Sequence, residues 1–236
     1  MRLLLISNST NAGEEYLEYP VPYIKKFLGE ESLDCAFIPY AGVSLSFDEY
    51  ITKVRKRFKE AGHNISSVHE TQDPVDLIRS SDAIVVGGGN TWHLLKMIQD
   101  NKLIEPIVKK KKKGKPYIGW SAGSNMACPT IKTTNDMPII EPESFKAFNL
   151  IPFQINPHYL DANPEGHAGE TREARIEEFL EVNKYTYVLG LREGTMLLLE
   201  NGQLRLEGLR NARLFHHGNE PVELGINDDF NFLIKV

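Results

Sequence analysis

Cysteine is scarce in this chain: Cys35 and Cys128 are the only two in 236 residues. Two thiols so far apart build neither a disulfide framework nor a zinc cluster, which draws its ligands from close-spaced pairs. Cys35 falls in the strand-like Asp34-Cys35-Ala36-Phe37-Ile38, and Cys128 lies two helical turns beyond Ser121. Both read as small buried residues of a reducing compartment. Long apolar runs are also missing. Met1-Arg2-Leu3-Leu4-Leu5-Ile6 is cut short by Ser7-Asn8-Ser9-Thr10, too soon for a secretory leader. Nothing approaches the about 20 apolar residues of a membrane helix. A cytoplasmic protein with no membrane partner is expected, in which the glycosylation-like triplets at Asn8 and Asn64 carry no meaning. Positive charge is not in excess either. A net charge of −5 and a pI near 5.8 argue against a nucleic-acid partner bound by phosphate neutralisation. The one basic run, Lys109 to Lys113, stands ahead of Gly114, where lysines complement the negative end of a helix and the glycine closes it. Repeats, low-complexity tracts and linkers are lacking. A composition of 41% hydrophobic and 25% charged residues suits a soluble chain with a full core, read as one α/β domain over 1–236.

What is present is an alternation of apolar strands and helices. Strands are expected over 3–7, 35–39, 65–68, 83–86 and 117–120, and helices over 14–28, 47–61 and 90–99. Continuously apolar strands alternating with helices imply a mostly parallel sheet with helices on both faces. Beyond Ile151 the pattern loosens. Strands are expected over 153–156, 187–191 and 196–200, with a helix over 171–180. Asn201-Gly202 signals a hairpin turn into a strand over 203–206, since both residues tolerate the left-handed backbone such turns need. These last strands read as short antiparallel additions at one sheet edge. In such folds the functional crevice lies at the carboxyl ends of the strands.

Three segments reach that rim. The first is Pro116-Tyr117-Ile118-Gly119-Trp120-Ser121-Ala122-Gly123, in which Ser121 has the G-x-S-x-G spacing of a strand-to-helix turn. Such a turn exposes the hydroxyl and aims the next N–H, on Ala122, at a developing oxyanion. The second is Gly87-Gly88-Gly89-Asn90-Thr91-Trp92. It is neither G-x-G-x-x-G nor a P-loop. Backbone free of side chains ahead of a helix capped by Asn90 instead offers N–H groups to an anion. The third is His158, which follows Asn156-Pro157 at the end of a strand. A serine nucleophile needs a base, and of the seven histidines His158 is favoured. His63 and His69 flank a strand and look solvated, His93 opens a helix, and His216 and His217 lie in the tail. The base in turn needs an acid, and two remain open: Glu193, after the strand at 187–191, and Asp136, on the loop after the elbow helix. Serine, acid, histidine is the α/β-hydrolase order and would require His216 or His217. The order Ser121, His158, Glu193 instead resembles class I glutamine amidotransferases, with serine in place of cysteine.

Further motifs sharpen the resemblance. They are Leu3 to Thr10, Phe37-Ile38-Pro39-Tyr40-Ala41-Gly42-Val43, Val85 to Thr91, Ile118 to Gly123, Ala127 to Ile131, Thr133-Thr134-Asn135-Asp136-Met137-Pro138, Gln154 to His158, Pro164-Glu165-Gly166-His167 and Gly169-Glu170-Thr171-Arg172-Glu173. Together they resemble the peptidase E (α-aspartyl dipeptidase) family, a serine branch of the glutamine amidotransferase-like superfamily. The likeness weakens after about Gly194. Ser124 stands where small residues are tolerated. The resemblance implies a cytosolic serine dipeptidase acting on Asp-Xaa, with small dipeptides as its partners and no metal or cofactor. It puts the nucleophile on Ser121, the base on His158 and the acid on Glu193 or Asp136. Gly88, Gly89 and Ala122 are then the oxyanion donors, with Asn90 and Thr134 beside the substrate. Arg172 is the cation expected to take the aspartyl carboxylate, because a planar guanidinium binds carboxylates bidentately. Its alternative is surface pairing with Glu173 or Glu170. Other readings are an esterase or amidase with another acyl group, and a silent binder of acidic peptides. Oligomeric state stays open, a homodimer included.

Overall fold

The computed structural model describes residues 1–112, 114–163, 166 and 168–235. Lys113, Pro164, Glu165 and His167, named above, lie outside them. The N-terminal half alternates strands and helices. These are β1 (Arg2–Ile6), α1 (Val21–Leu28), β2 (Asp34–Ile38), α2 (Phe47–Glu60), β3 (Asn64–Ser67), α3 (Pro74–Ser80), β4 (Ala83–Val86), α4 (Thr91–Asp100), α5 (Ile104–Lys112), β5 (Pro116–Trp120) and α6 (Ala122–Ala127). Later come β6 (Gln154–Pro157), α7 (Arg172–Val182), β7 (Val188–Leu191), β8 (Thr195–Glu200), β9 (Gln203–Gly208), β10 (Ala212–Phe215) and β11 (Val222–Leu224).

The first sheet has the order β3-β2-β4-β5-β1-β8-β9. Its first five strands are mutually parallel, and β8 and β9 add antiparallel strands beyond β1. Strand β4 is buried at all four residues and β5 at all five, as strands covered on both faces must be. One core cluster gathers Leu3, Leu5, Ile84, Val86, Leu94, Ile98 and Met126 on one face. A second gathers Leu4, Ile6, Phe37, Val54, Phe58, Ile118 and Trp120 on the other.

Three features depart from the sequence expectation. The helix expected over 14–28 begins only at Val21. Leu17 sits at φ +54°, and Pro20 and Pro22 bracket the first helical residue, so the preceding segment cannot join an α-helical ladder. Helix α3 was not expected; it is seven residues long and opens on Asp73-Pro74, with Asp73 accepting from Asp76 N at 2.9 Å. The strands at 154–157 and 188–191 do not enter the main sheet. They pair in parallel with each other and join β10 and β11 in a second sheet ordered β11-β10-β7-β6. The antiparallel additions are therefore divided between two sheets. Ile155, Leu189 and Leu191 still pack into the same cluster as Leu3 and Leu94. That packing brings the ends of β6 and β7 beside the end of β5. The hairpin turn is as expected, with Asn201 at φ +53° and Gly202 at φ +76°. The described part of the basic run, Lys109 to Lys112, ends α5, and Gly114 has φ +75°.

Candidate active site

The site begins with a steric constraint at the end of β5. Ser121 adopts φ +52°, ψ −113°, a conformation that costs a non-glycine residue about 1–3 kcal/mol. Its neighbours hold it there. Ser121 N donates to Ile6 O at 3.0 Å, while Ser121 O accepts from Ser124 N (2.9 Å) and Asn125 N (3.1 Å). The flanking glycines explain the motif's spacing. A Cβ on Gly119 would lie 2.4 Å from Gly123 O, and one on Gly123 would lie 2.2 Å from Val86 O. Only backbone fits where strand and helix meet. Gly123→Ala should therefore lower thermal stability by about 1–3 kcal/mol, the cost of overpacking a closed core, as a melting curve would report. Ser124, read as a merely tolerated small residue, has a definite role: its hydroxyl reaches Ile6 O at 2.8 Å and Gly119 O at 2.9 Å.

His158 follows β6 at φ +52°. Its Nε2 is 3.0 Å from Ser121 Oγ, and its Nδ1 is 2.7 Å from Glu193 Oε1. Because a carboxylate only accepts, Nδ1 carries the proton and Nε2 faces the serine as acceptor. Both side chains are about two-fifths exposed. Two residues without a role in the sequence reading hold this pair. Ser7 Oγ accepts from His158 N at 3.0 Å and donates to Leu191 O at 2.7 Å. Asn8 Oδ1 accepts from Gly194 N at 2.8 Å and from the Tyr19 hydroxyl at 2.7 Å. Their one sequence signal is a polar cluster placed at the carboxyl end of an apolar strand.

Asp136 is placed elsewhere. Its Oδ2 accepts from Thr91 N (2.8 Å), Thr91 Oγ1 (2.5 Å) and Thr134 Oγ1 (2.9 Å), so it anchors the start of α4. It does not stand behind His158; of the two acids left open, Glu193 is the one that meets His158 Nδ1. Thr134 is tied into this knot. Asn90 caps α4 by accepting from His93 N at 3.0 Å, and donates to Met137 O at 2.9 Å. Asn90, Thr134 and Asp136 line a cleft of about 940 Å³ with Ser121, His158, Gly88, Gly89, Tyr50 and Arg172.

Arg172 opens α7 and has no ion pair among the described residues. The two acids offered as its surface partners are engaged with others: Glu173 with Arg213 at 2.8 Å, and Glu170 with Arg175 at 3.7 Å. Burial, together with Arg175, pushes the Arg172 pKa down, and the nearby Asp136 opposes that shift. On the loop before α4, Gly87 N and Asn90 N bond to Ile38 O and Ala41 O. Gly88 N and Gly89 N have no partner among the described residues. Ala122 opens α6, so its N–H has no carbonyl one turn behind it.

Among the described residues, the other histidines do not reach Ser121. His63 and His69, read as solvated, are tucked in. His63 is 4% exposed, and burial lowers its pKa. His69 bridges Ser67 Oγ at 2.6 Å and Asp48 at 3.1 Å. His93 Nδ1 meets Tyr40 O at 2.6 Å. His216 stacks on Tyr187, and His217 pairs with Glu181 at 3.4 Å, both lining a separate groove of about 220 Å³. The α/β-hydrolase order thus has no geometric support. Both cysteines are buried and unpaired, their thiols pushed up to about 12. No group of three or more metal-ligating side chains occurs among the described residues, and no helix there is long and apolar enough to cross a membrane.

A strained serine elbow on a parallel sheet, backed by histidine and glutamate, defines a class: the serine hydrolases. Within it the chain belongs to peptidase family S51, whose model matches residues 3–207. It is 52% identical to a Peptidase E of Nostoc sp. over 234 residues, covering 99% of this chain and 97% of that one. With a Peptidase E of Salmonella typhimurium it shares 47% over 225 residues, 95% and 97% of the two chains. Two solved structures share the fold. A peptidase from an acI-B1 Actinobacterium has a TM-score of 0.72 at 16% identity, covering 97% of this chain and 96% of that one. A putative Peptidase E protein from Listeria monocytogenes has a TM-score of 0.65 at 22% identity, covering 88% and 98%. The chain is a serine peptidase.

Proposed function

We propose that this serine-type dipeptidase cleaves dipeptides with an N-terminal aspartate through an acyl-enzyme on Ser121. The observation that carries the proposal is the line Ser121 Oγ, His158 Nε2, His158 Nδ1, Glu193 Oε1, with gaps of 3.0 and 2.7 Å. As Ser121 Oγ bonds to the aspartyl carbonyl carbon, its proton passes to Nε2. The carbonyl oxygen takes the electron pair and is held by Ala122 N–H and by Gly88 or Gly89 N–H. The tetrahedral adduct collapses, and Nε2 returns the proton to the departing amine. Water then repeats the sequence and releases aspartate. Arg172 is given the side-chain carboxylate. The Oδ1 atom of Asp136, the oxygen not used to anchor α4, is given the substrate ammonium. A cytoplasmic setting belongs to the same reading, in keeping with two unpaired buried cysteines.

A panel of X-Leu dipeptides tests the substrate: Asp-Leu should be cleaved well, and Asn-Leu and Glu-Leu poorly. Faster turnover of a neutral first residue, or of simple esters, would mean another acyl specificity. The two acids separate by kinetic constant. Glu193→Gln removes the charge that holds the imidazolium, so kcat should fall about 10²- to 10⁴-fold with KM changed less than about threefold. Asp136→Asn keeps shape and an acceptor for Thr91 and Thr134 but loses the charge facing the ammonium, so KM should rise about tenfold or more. The opposite pattern would exchange the two roles.

A further inference from the structure

The bond network beneath Gly88 has no part in the chemistry derived above, and it leads straight to the oxyanion donors. Tyr50, on α2, is 4% exposed and lies edge-on to Phe37 with ring centroids 5.1 Å apart. Its hydroxyl is 2.9 Å from Gly88 O. A carbonyl can only accept, so Tyr50 donates, and its oxygen is left to accept from the Tyr16 hydroxyl at 3.2 Å. The chain of donors therefore runs one way: Tyr16, Tyr50, Gly88 O. The Tyr16 segment is itself held, since Arg57 Nε donates to Tyr16 O at 2.7 Å. The loop is shaped to admit the phenol: a Cβ on Gly87 would lie 2.4 Å from the Tyr50 hydroxyl oxygen.

Gly88 C=O and Gly89 N–H belong to one planar trans peptide, and the two dipoles point in opposite directions. Fixing the carbonyl on Tyr50 therefore fixes the N–H on the far side. Gly89 alone has the backbone freedom to follow: it sits at φ +135°, and a Cβ there would lie 2.2 Å from Ala41 O. Gly88 packs directly on the nucleophile, for a Cβ on it would come within 3.0 Å of Ser121 Cβ. We propose that Tyr50 is a positioning residue for the oxyanion hole, donating to Gly88 O so that Gly89 N–H, beside Ala122 N–H, points at the carbonyl oxygen attacked by Ser121. The same bond polarises the peptide and strengthens Gly89 as a donor. Burial pushes the Tyr50 phenol up to about 12, so it remains a neutral donor wherever the peptidase would work. The proposal rests on Ser121 being the nucleophile.

Tyr50→Phe keeps the ring and removes only the hydroxyl. Removing a whole oxyanion donor costs about 10²- to 10³-fold in kcat; loosening one should cost about 10- to 50-fold, with KM for Asp-Leu within about twofold of wild type. A fluorophosphonate probe gives a second readout independent of acyl preference, because its attack also develops charge on oxygen; the labelling rate of Ser121 should fall by a similar factor. Labelling of wild type but not of Ser121→Ala tests the nucleophile separately. Unchanged kcat and labelling in folded Tyr50→Phe, or a change confined to KM, would overturn the proposal. If Tyr50→Phe does not fold, Tyr16→Phe decides, since it removes the Tyr16 donor to the Tyr50 oxygen and leaves Tyr50 free to donate to Gly88 O. A fall of about two- to fivefold in kcat and labelling at unchanged KM supports the chain of donors, and no fall overturns it.

Discussion

Ser121→Ala should yield a folded protein with its peptidase turnover lowered by about 10⁴-fold or more, the loss expected when the nucleophile of a triad is removed. The fold should survive because the hydroxyl makes no bond that supports it. The backbone of residue 121, not its side chain, holds Ile6, Ser124 and Asn125. Among the described residues its only side-chain partner is His158 Nε2. Alanine tolerates the strained φ of +52° no worse than serine, so the melting temperature should stay within about 3 °C, a shift below about 1 kcal/mol. His158→Ala should be comparably severe. His216→Ala and His217→Ala should be close to silent, because both line the separate groove near Glu181. Near-normal Asp-Leu turnover by Ser121→Ala would place the nucleophile elsewhere.

The second large effect concerns the first residue of the substrate. Asn-Leu nearly matches Asp-Leu in shape but lacks its charge. Arg172 has no ion pair among the described residues, and Glu170 and Glu173 are committed to Arg175 and Arg213. With Asn-Leu bound and water displaced, the guanidinium is left without a counter-charge. Stranding a desolvated charge costs about 3–5 kcal/mol. Arg172 is only partly buried, and the water that remains screens part of that cost. A discrimination of about 10²- to 10³-fold in kcat/KM follows. Glu-Leu retains the charge but carries the scissile carbonyl one methylene further from Ser121, so it should fail through misplacement. Arg172→Ala should erase most of the preference for Asp over Asn. Equal discrimination in wild type and variant would mean that another group reads the carboxylate.

How much of this was legible in the sequence depended on how local the cause was. The elbow could be read because its spacing lies within five residues, although only the Gly119 clash, against Gly123 O, is that local; Gly123 faces Val86 O on the neighbouring strand. His158 and Glu193 could be read because each follows an apolar strand, and strand ends share a rim. The first helix was overextended because its amphipathic pattern outweighed Pro20 and Pro22. The second sheet was illegible. Parallel pairing of β6 with β7 joins segments separated by a helix, and nothing in either strand names its partner. His63 looked solvated because it flanks a strand, yet burial at 4% exposure is set by the packing of α2 on the sheet. The strap of Ser7 and Asn8 escaped for the same reason, since its contacts span 151 and 186 positions along the chain. Tyr50 was hidden likewise; only the structure brings its hydroxyl to Gly88 O.

The central claim is a covalent intermediate on Ser121, and trapping it is the most direct test. The protein is mixed with an activated aspartyl ester, quenched in acid within the first turnover, digested and mapped by mass. An added mass of one aspartyl group on the peptide that carries Ser121, absent from Ser121→Ala, is the predicted result. Rapid turnover with no adduct on any residue, or an adduct on a residue other than Ser121, would contradict it.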